Sequence, residues 1–386
     1  MIEYQLYPKS IRTGYIVMFF FSILLLHCSG GPAFENDRQI ASKLEPIIND
    51  YMVTYNLPGL AIGIVKDKKV VYANGFGLKS INSDDSVTST TLFHMASISK
   101  PFVATAIMQL SEQGKIDINS PVTDYLPYFK LGDERYKSIT IQQMLSHISG
   151  MPDVEDYEWD NPQYDDGAME RYVRSLSDRK MIFDPGEKFS YSNMAFEVLG
   201  DVIAKVSGTT FDDYEKEYIL NPLGMKKSTF LKPEHLPEDW AAAHIMRQTT
   251  EAWDGYPYNR IHGPSSTLHS NVVEMCNWAI ANMNSGELNG TRILNADSYD
   301  LLWKPLFTIN SETNRSIGLS WFLAEYEGFK TVGHSGGDIG FNTNFVMIPE
   351  KSIAIVVLSN RMPAPVGDIT NAALDILLGL EKEKAK

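Results

Sequence analysis

The sequence predicts an α/β domain combined with an all-α region, with strands at both ends of the chain and helices between them. Short runs rich in β-branched and aliphatic residues lie at 60–65 and 70–75, and again at 318–324, 330–333, 341–348 and 353–359. Apolar residues at helical spacing dominate the chain between these two groups. We therefore expect one antiparallel sheet built from both chain ends and flanked by helices, with a helical insertion domain.

Each helix is predicted from its apolar spacing. The pattern indicates helices over residues 40–55, 97–114, 198–206, 275–283 and 369–380. Gly114 is a natural stop for the second of these helices. Pro101 is tolerated only in the first turn of that helix, which places Ser97 at its amino-terminal end.

The amino-terminal segment has the pattern of an export signal. Lys9 and Arg12 precede an apolar run from Tyr15 to Leu26 that is interrupted only by Ser22. A helix of this length rises only about 18 Å, too short for a bilayer core of about 30 Å. We therefore expect a signal peptide over residues 1–27 and an exported protein.

Cys28 follows the apolar run and resembles the lipidated residue of a bacterial lipoprotein, although His27 stands where a small residue is usual. Ordinary signal cleavage nearby and a short signal anchor are the alternatives. We expect a periplasmic or outer-membrane-anchored protein that meets the membrane only through this segment. The predicted division is a tether (28–37), the first part of the α/β domain (38–96), a mainly helical region (97–315) and the carboxyl-terminal strands and helix (316–381).

The composition limits the classes of partner. The chain of 386 residues has a formal charge of −14, which argues against nucleic-acid binding because phosphates are bound by clustered Lys and Arg. A small-molecule or peptide substrate is the expected partner. Cys276 is the second of two cysteines and lies in an apolar helical pattern, so we expect a buried small side chain and no disulfide.

Ser97-Ile98-Ser99-Lys100 is the first of three elements that could carry chemistry. On a helix, residues three apart share a face, so the amine can accept the hydroxyl proton if its pKa falls well below about 10.4. The helix amino terminus also offers N–H groups to developing negative charge. By itself this four-residue pattern occurs by chance in many proteins.

Tyr191-Ser192-Asn193 is the second element, and its phenol and amide lie two residues apart. On an extended segment they point the same way. The phenol can relay a proton to a leaving group, and the amide can hold the lysine and the substrate. A tripeptide of this kind is also common in ordinary loops.

The third element is Gly333-His334-Ser335-Gly336-Gly337, which matches the G-x-S-x-G nucleophile elbow of α/β-hydrolases. An elbow requires a strand–turn–helix context and a histidine later in the chain. Here strands are predicted on both sides, and no histidine follows His334. Ser335 is therefore rejected as the nucleophile.

Together the three elements resemble the active-site signature of serine β-lactamases, penicillin-binding proteins, D-alanyl-D-alanine carboxypeptidases and related esterases. The likeness extends over residues 40–380 and includes Leu145-Ser146-His147-Ile148-Ser149-Gly150-Met151, Asp184-Pro185-Gly186-Glu187 and Asn221-Pro222-Leu223-Gly224-Met225. The resemblance implies a β-lactamase-like fold and acyl transfer through a covalent intermediate. It requires no metal and no cofactor.

The resemblance also implies a role for each element. Ser97 attacks the carbonyl while Lys100 and Tyr191 manage the proton, and the acyl-enzyme is then hydrolysed. The oxyanion hole uses the N–H groups of Ser97 and Gly337. Asn193 is expected to hold Lys100 and a substrate amide, with His334, Ser335 and Gly336 as further substrate-binding residues.

His334 departs from the penicillin-directed members of this family, which usually have lysine there. Histidine is mostly neutral at pH 7, with a reference pKa of about 6.5, so it offers no permanent cation to a substrate carboxylate. The variant resembles relatives with esterase, D-amino-acid amidase or aminopeptidase activity. We rank these substrates above β-lactams. A protein that binds cell-wall peptides or β-lactams without catalysis is the alternative class.

Four further features are given structural interpretations. We expect His94 to pack or to form a hydrogen bond, and His147 to fix its own loop. Residues 153–170 contain eight carboxylates with three interspersed aromatic residues; we expect a solvated loop, with a lid favouring cationic substrates as the alternative. His262 and His269 lack the spacing of a local metal site.

Overall fold

The computed structural model of the protein describes residues 37–380. The predicted signal peptide, Cys28 and all of the tether except Asp37 lie outside the described residues. In the part that is described, the helices are too short or too polar to cross a bilayer.

The strands of the main sheet come from both ends of the chain, as the sequence predicted, and six short strands, β3 to β8, lie between them. In chain order they are β1 Gly59–Lys66, β2 Lys69–Gly77, β3 Phe93–His94, β4 His244–Met246, β5 Thr250–Ala252, β6 His269–Ser270, β7 Glu287–Leu288, β8 Thr291–Arg292, β9 Phe307–Asn310, β10 Arg315–Ile317, β11 Phe322–Tyr326, β12 Phe329–Asp338, β13 Phe341–Ile348, β14 Ile353–Ser359 and β15 Arg361–Met362. Eight of them form one sheet in the order β2-β1-β14-β13-β12-β11-β10-β9. All its neighbouring pairs are antiparallel, and the two chain ends meet where Ile62 pairs with Val357.

The helices lie on both sides of this sheet. They are α1 Arg38–Thr54, α2 Lys100–Glu112, α3 Ile141–Leu145, α4 Ala168–Ser175, α5 Asn193–Ser207, α6 Phe211–Glu215, α7 Gly263–Ser266, α8 Val272–Met283, α9 Ala296–Leu302 and α10 Val366–Leu378. The first and last helices, α1 and α10, pack on each other and cover one face of the sheet. The helices between them pack on the other face and on one another.

Alternation along the central strands explains the two layers. Ile62 and Ile64 of β1 belong to the core under α1 and α10, whereas Ala61 and Val65 belong to the core on the helical side. Because both faces are covered, the central strands are continuous apolar runs. Cys276 is free and buried on α8, where burial raises the pKa of its thiol to about 12, consistent with a small apolar side chain.

Several element boundaries differ from the sequence prediction, and α5 begins at Asn193, five residues earlier than expected. The helix expected from Ser97 begins as a tight 3₁₀ turn over Ala96–Ser99 and becomes α-helical only at Lys100. The strand expected from Gly318 begins at Phe322, because Ser320 has a left-handed φ of 70° and donates its N–H to the carbonyl of Leu145. β12 is longer than expected and runs through the whole third motif.

Candidate active site

Ser97 lies on the 3₁₀ turn that leads into α2, and its side chain is half-buried. The preceding residue, Ala96, has φ 49°, a left-handed conformation that costs an L-residue about 1 kcal/mol. Ser99 is fully buried, donates to the Ala96 carbonyl at 2.7 Å and accepts from the Leu268 N–H at 2.9 Å. These bonds fix the turn and leave Ser97 as its accessible hydroxyl.

Lys100 is fully buried directly behind Ser97. Its Nζ donates to Ser97 Oγ at 3.0 Å and to the carbonyl oxygen of Ser265 at 2.8 Å. Burial lowers the pKa of this amine to about 7, against the opposing fields of Glu197, Asp153 and Asp338. A large fraction of the side chain is therefore neutral near pH 7 and can accept the serine proton. Desolvation is the main cause of the shift.

Tyr191 comes next to Lys100, with Nζ 4.9 Å from the centroid of its ring. The phenol oxygen is buried and has no hydrogen-bond partner among the described residues. Burial raises its pKa, and the Ser97 side chain opposes that rise. The phenol is therefore protonated at physiological pH. It can relay a proton, but it is not a phenolate that could serve as the general base.

His147 supports Tyr191, as expected of a residue that fixes its loop. The two rings stack with centroids 4.1 Å apart, and His147 Nδ1 accepts the N–H of Ser192 at 3.1 Å. Burial lowers the pKa of His147 well below its usual value, so the imidazole is neutral. It orients the second motif from behind.

Asn193 does not bond to Lys100, contrary to the expectation from the family resemblance. Its N–H donates to Asp153 Oδ1 at 2.7 Å, and its Nδ2 donates to the same carboxylate at 3.0 and 3.2 Å. The physical reason is its place at the start of α5, where free N–H groups attract a carboxylate. Its Oδ1 is buried and unpaired within the described structure.

The third motif lies in the middle of β12 and pairs with β13 along its length. Gly336 packs against the turn that carries Ser97: a Cβ there would lie 2.4 Å from the Met95 carbonyl oxygen and 3.1 Å from Ala96 Cβ. This close approach requires glycine. Ser335 is exposed, on a continuous strand with no turn into a helix, so the structure lacks the context of a nucleophile elbow.

His334 is buried, with its ring near Tyr191 and Phe322. Its Nδ1 donates to the Ser335 carbonyl at 2.6 Å, which leaves Nε2 as an acceptor without a described partner. Burial, reinforced by Lys100, lowers the pKa of His334 to about 3. The ring is therefore neutral and supplies no cation at this position.

A buried polar group behind the lysine was missed by the sequence reasoning. Glu197 is fully buried on α5, and its Oε1 accepts from Ser265 Oγ at 2.6 Å and from His262 Nδ1 at 2.9 Å. Because the Ser265 carbonyl in turn holds Lys100, the carboxylate is connected to the amine through one residue. A glutamate four residues after Asn193, inside an apolar helix, was the available signal.

The acidic segment is only partly the solvated loop that was expected. Asp165 and Asp166 form exposed ion pairs with arginines, as on a solvated surface. At its other end Asp153 binds Asn193, and Tyr157 and Trp159 stack on each other and pack on His262. His94 bonds to Asp338 at 3.2 Å, in keeping with its expected structural role. Within residues 37–380 no three His, Cys, Asp or Glu side chains gather as a metal site.

A serine on a tight turn, a buried low-pKa lysine and a neighbouring phenol form an arrangement that can carry out acyl transfer. The Beta-lactamase family model matches residues 44–380, and the chain therefore belongs to that family, which is a superfamily of serine hydrolases.

Two relatives illustrate the range of the family. The chain is 27% identical over 327 residues to Protein flp of Staphylococcus aureus strain MW2, covering 84% of this chain and 64% of that protein. It is 26% identical over 316 residues to Penicillin-binding protein 4 of Amycolatopsis lactamdurans, covering 79% of this chain and 81% of that protein. The chain thus spans just under two thirds of the length of flp.

Solved structures support the same fold. The octameric penicillin-binding protein homologue from Pyrococcus abyssi superposes with a TM-score of 0.76 at 29% identity, covering 89% of this chain and 78% of the other. A D-stereospecific amidohydrolase from Streptomyces sp. gives a TM-score of 0.72 at 20% identity, covering 89% and 99%. The second likeness concerns the fold alone.

Proposed function

We propose that the protein hydrolyses an ester or amide through a covalent acyl-enzyme on Ser97. The observation that carries this proposal is the 3.0 Å contact between the Ser97 hydroxyl and a fully buried Lys100 amine whose pKa is about 7. An amine at that pKa combines a useful neutral fraction with enough basicity to take the serine proton.

The steps balance with residues of this chain. Ser97 Oγ attacks the carbonyl carbon and its proton passes to Lys100, while the N–H groups of Ser97 and Gly337 bind the oxyanion. The tetrahedral intermediate collapses, and the leaving group takes the proton through Lys100 and Tyr191. Water then attacks the acyl-enzyme, gives its proton to the same pair, and releases the acid and free Ser97.

The electrostatics of the cleft favour substrates other than β-lactams. The ring of His334 is neutral because its pKa is about 3, so it offers no charge to the carboxylate that β-lactams and cell-wall peptides carry. Esters and amides that lack this carboxylate do not need a cation at this position for binding. We rank esterase or amino-acid amidase activity first for this reason, and the fold shared with a D-stereospecific amidohydrolase is compatible with that order.

Covalent labelling tests the proposal. The purified protein is exposed to a reactive fluorophosphonate, and intact mass with peptide mapping locates the adduct. We expect one adduct on Ser97, lost in Ser97→Ala and in Lys100→Ala but retained in Ser335→Ala. A folded protein that takes no label would replace this proposal with the non-catalytic binding protein, and label lost only in Ser335→Ala would restore the elbow mechanism.

We propose in addition that the chain is exported and that Cys28 becomes its lipidated first residue. The supporting observation is the charged and apolar pattern of residues 9–26 ahead of that cysteine. Mass spectrometry of the mature amino terminus tests it, and an unprocessed Met1 would contradict it.

A further inference from the structure

Asp153 is held at the edge of the candidate site although its side chain is exposed. It accepts the N–H of Asn193 at 2.7 Å and both carboxylate oxygens accept from Asn193 Nδ2. The neighbouring Pro152 carbonyl accepts the Ser192 hydroxyl at 2.7 Å, so this part of the loop is clamped to the start of α5. An exposed carboxylate is thereby fixed to Asn193, which lies two positions after Tyr191 in the chain.

The bond to Asp153 sets the orientation of the Asn193 amide. An ionised carboxylate only accepts hydrogen bonds, so the NH₂ group of Asn193 must face it. The amide oxygen then faces away, and it is buried with no partner among the described residues. Asn193 is 8% exposed, and a buried acceptor left unpaired in this way destabilises the site. The NH₂ group of Asn193 is therefore already bound to Asp153, and its amide oxygen is the acceptor that has no partner among the described residues.

The charged groups around the cleft also favour a positively charged group of the substrate. The three groups whose fields act most on Lys100 are Glu197, Asp153 and Asp338, all carboxylates. His334 is neutral, and its Nε2 has no described partner. The cations that act on this ring are Lys100 and then Arg315, whose guanidinium lies over the ring of Phe322 at 4.8 Å. Tyr157 and Trp159 add aromatic faces beside Asp153 that favour a cation further.

We propose that the Asp153 carboxylate and the Asn193 amide oxygen together bind an ammonium group of the substrate. An ammonium group has three donors and one positive charge, which match a carboxylate beside a neutral acceptor. The substrate class is then an ester or amide of an amino acid or short peptide with a free amine near the scissile carbonyl. This inference rests on the proposed hydrolase function and adds its specificity.

The test compares substrates that differ only in the amine. Alanine benzyl ester, as each enantiomer, is compared at neutral pH with benzyl propionate and with N-acetylalanine benzyl ester. We expect the unmodified protein to prefer a free-amine ester in kcat/KM. Asp153→Asn should reduce that preference about 10- to 100-fold, the effect of losing a hydrogen bond to a charged group. The loss should be mainly in KM.

Asp156→Asn is the matched control, because Asp156 is an exposed carboxylate on the same loop that caps the Glu158 N–H at 2.9 Å. It should leave the preference unchanged. Equal rates on amine and des-amino esters in the unmodified protein would overturn the inference without any variant, as would an equal effect of both substitutions. Fluorophosphonate labelling of Ser97 in the same samples separates the two proposals: no label refutes the hydrolase, whereas label without amine preference refutes only the ammonium site.

Discussion

The two faces of the central sheet are built from the same strands but from different kinds of residue. Under α1 and α10 the buried cluster consists of aliphatic side chains and Tyr72. On the helical face the apolar core is interrupted by buried polar groups that include Lys100, His147, Glu197 and His334. The outer face is stabilised mainly by apolar burial, with Tyr72 bonded to Glu45 and Thr370 to Asn344, whereas the inner face carries the desolvated lysine, histidine and carboxylate groups of the candidate site. We infer that stability and chemistry are separated across the sheet.

The largest effect should come from the outer face and should concern stability alone. Leu44 of α1 is fully buried there, so Leu44→Ala should lower the free energy of unfolding by about 2–5 kcal/mol. Val53→Ala on the same helix is the control, because that side chain is 78% exposed and its loss should change stability by about 0.5 kcal/mol or less. Urea denaturation measures both. A changed rate of Ser97 labelling in folded Leu44→Ala would contradict the inference that stability and chemistry are separated across the sheet.

A glycine on each face provides the second comparison. Gly336→Ala places a Cβ 2.4 Å from the Met95 carbonyl oxygen, so the strand must move away from the turn of Ser97. A shift of about 1 Å can cost about 100-fold in rate, which is the expected loss in kcat/KM. Gly367 of α10 has no atom within 4 Å of a new Cβ, so Gly367→Ala should stabilise by about 0.4–1 kcal/mol at unchanged activity. Equal activity in the two variants would contradict the role given to Gly336.

The smallest effect should be a change of pH dependence. Lys100 acts as a base when neutral, so kcat/KM should rise with pH through about 7. The negative charge of Glu197 raises the pKa of Lys100, and Glu197→Gln removes that charge. The acidic limb of the pH profile of kcat/KM should therefore shift from about pH 7 to lower pH.

Asp201→Asn is the control on the same helix. Asp201 is also buried and accepts a hydroxyl, that of Tyr128 at 2.7 Å, but its charge does not act on Lys100. The limb should stay in place in this variant. If Glu197→Gln lowers kcat but leaves the acidic limb of the pH profile in place, Glu197 acts only through packing and not through its charge on Lys100.

Sequence patterns predicted the elements whose signal is local. The patterns of β13 and β14 predicted the strand bounds that the structure has. Strand β14 is buried on both faces and is one apolar block, whereas β13 alternates between buried and half-buried positions over most of its length. The strand start at Gly318 was wrong, since the bond from the Ser320 N–H to Leu145 joins residues far apart in the chain. The tight turn at Ala96–Ser99 was missed for the same kind of reason: β12 packs against it from more than 200 residues away.

By itself the sequence determined the fold class, the two-ended sheet and the three motifs, because periodicity and spacing express burial and shared faces directly. Only the tertiary structure decided the electrostatics. Burial lowers the pKa of Lys100 to about 7 and that of His334 to about 3, and no local pattern reports how deeply a side chain is desolvated. The turning of the Asn193 amide toward Asp153, 40 residues away, was likewise decided by packing that brings a loop to a helix terminus.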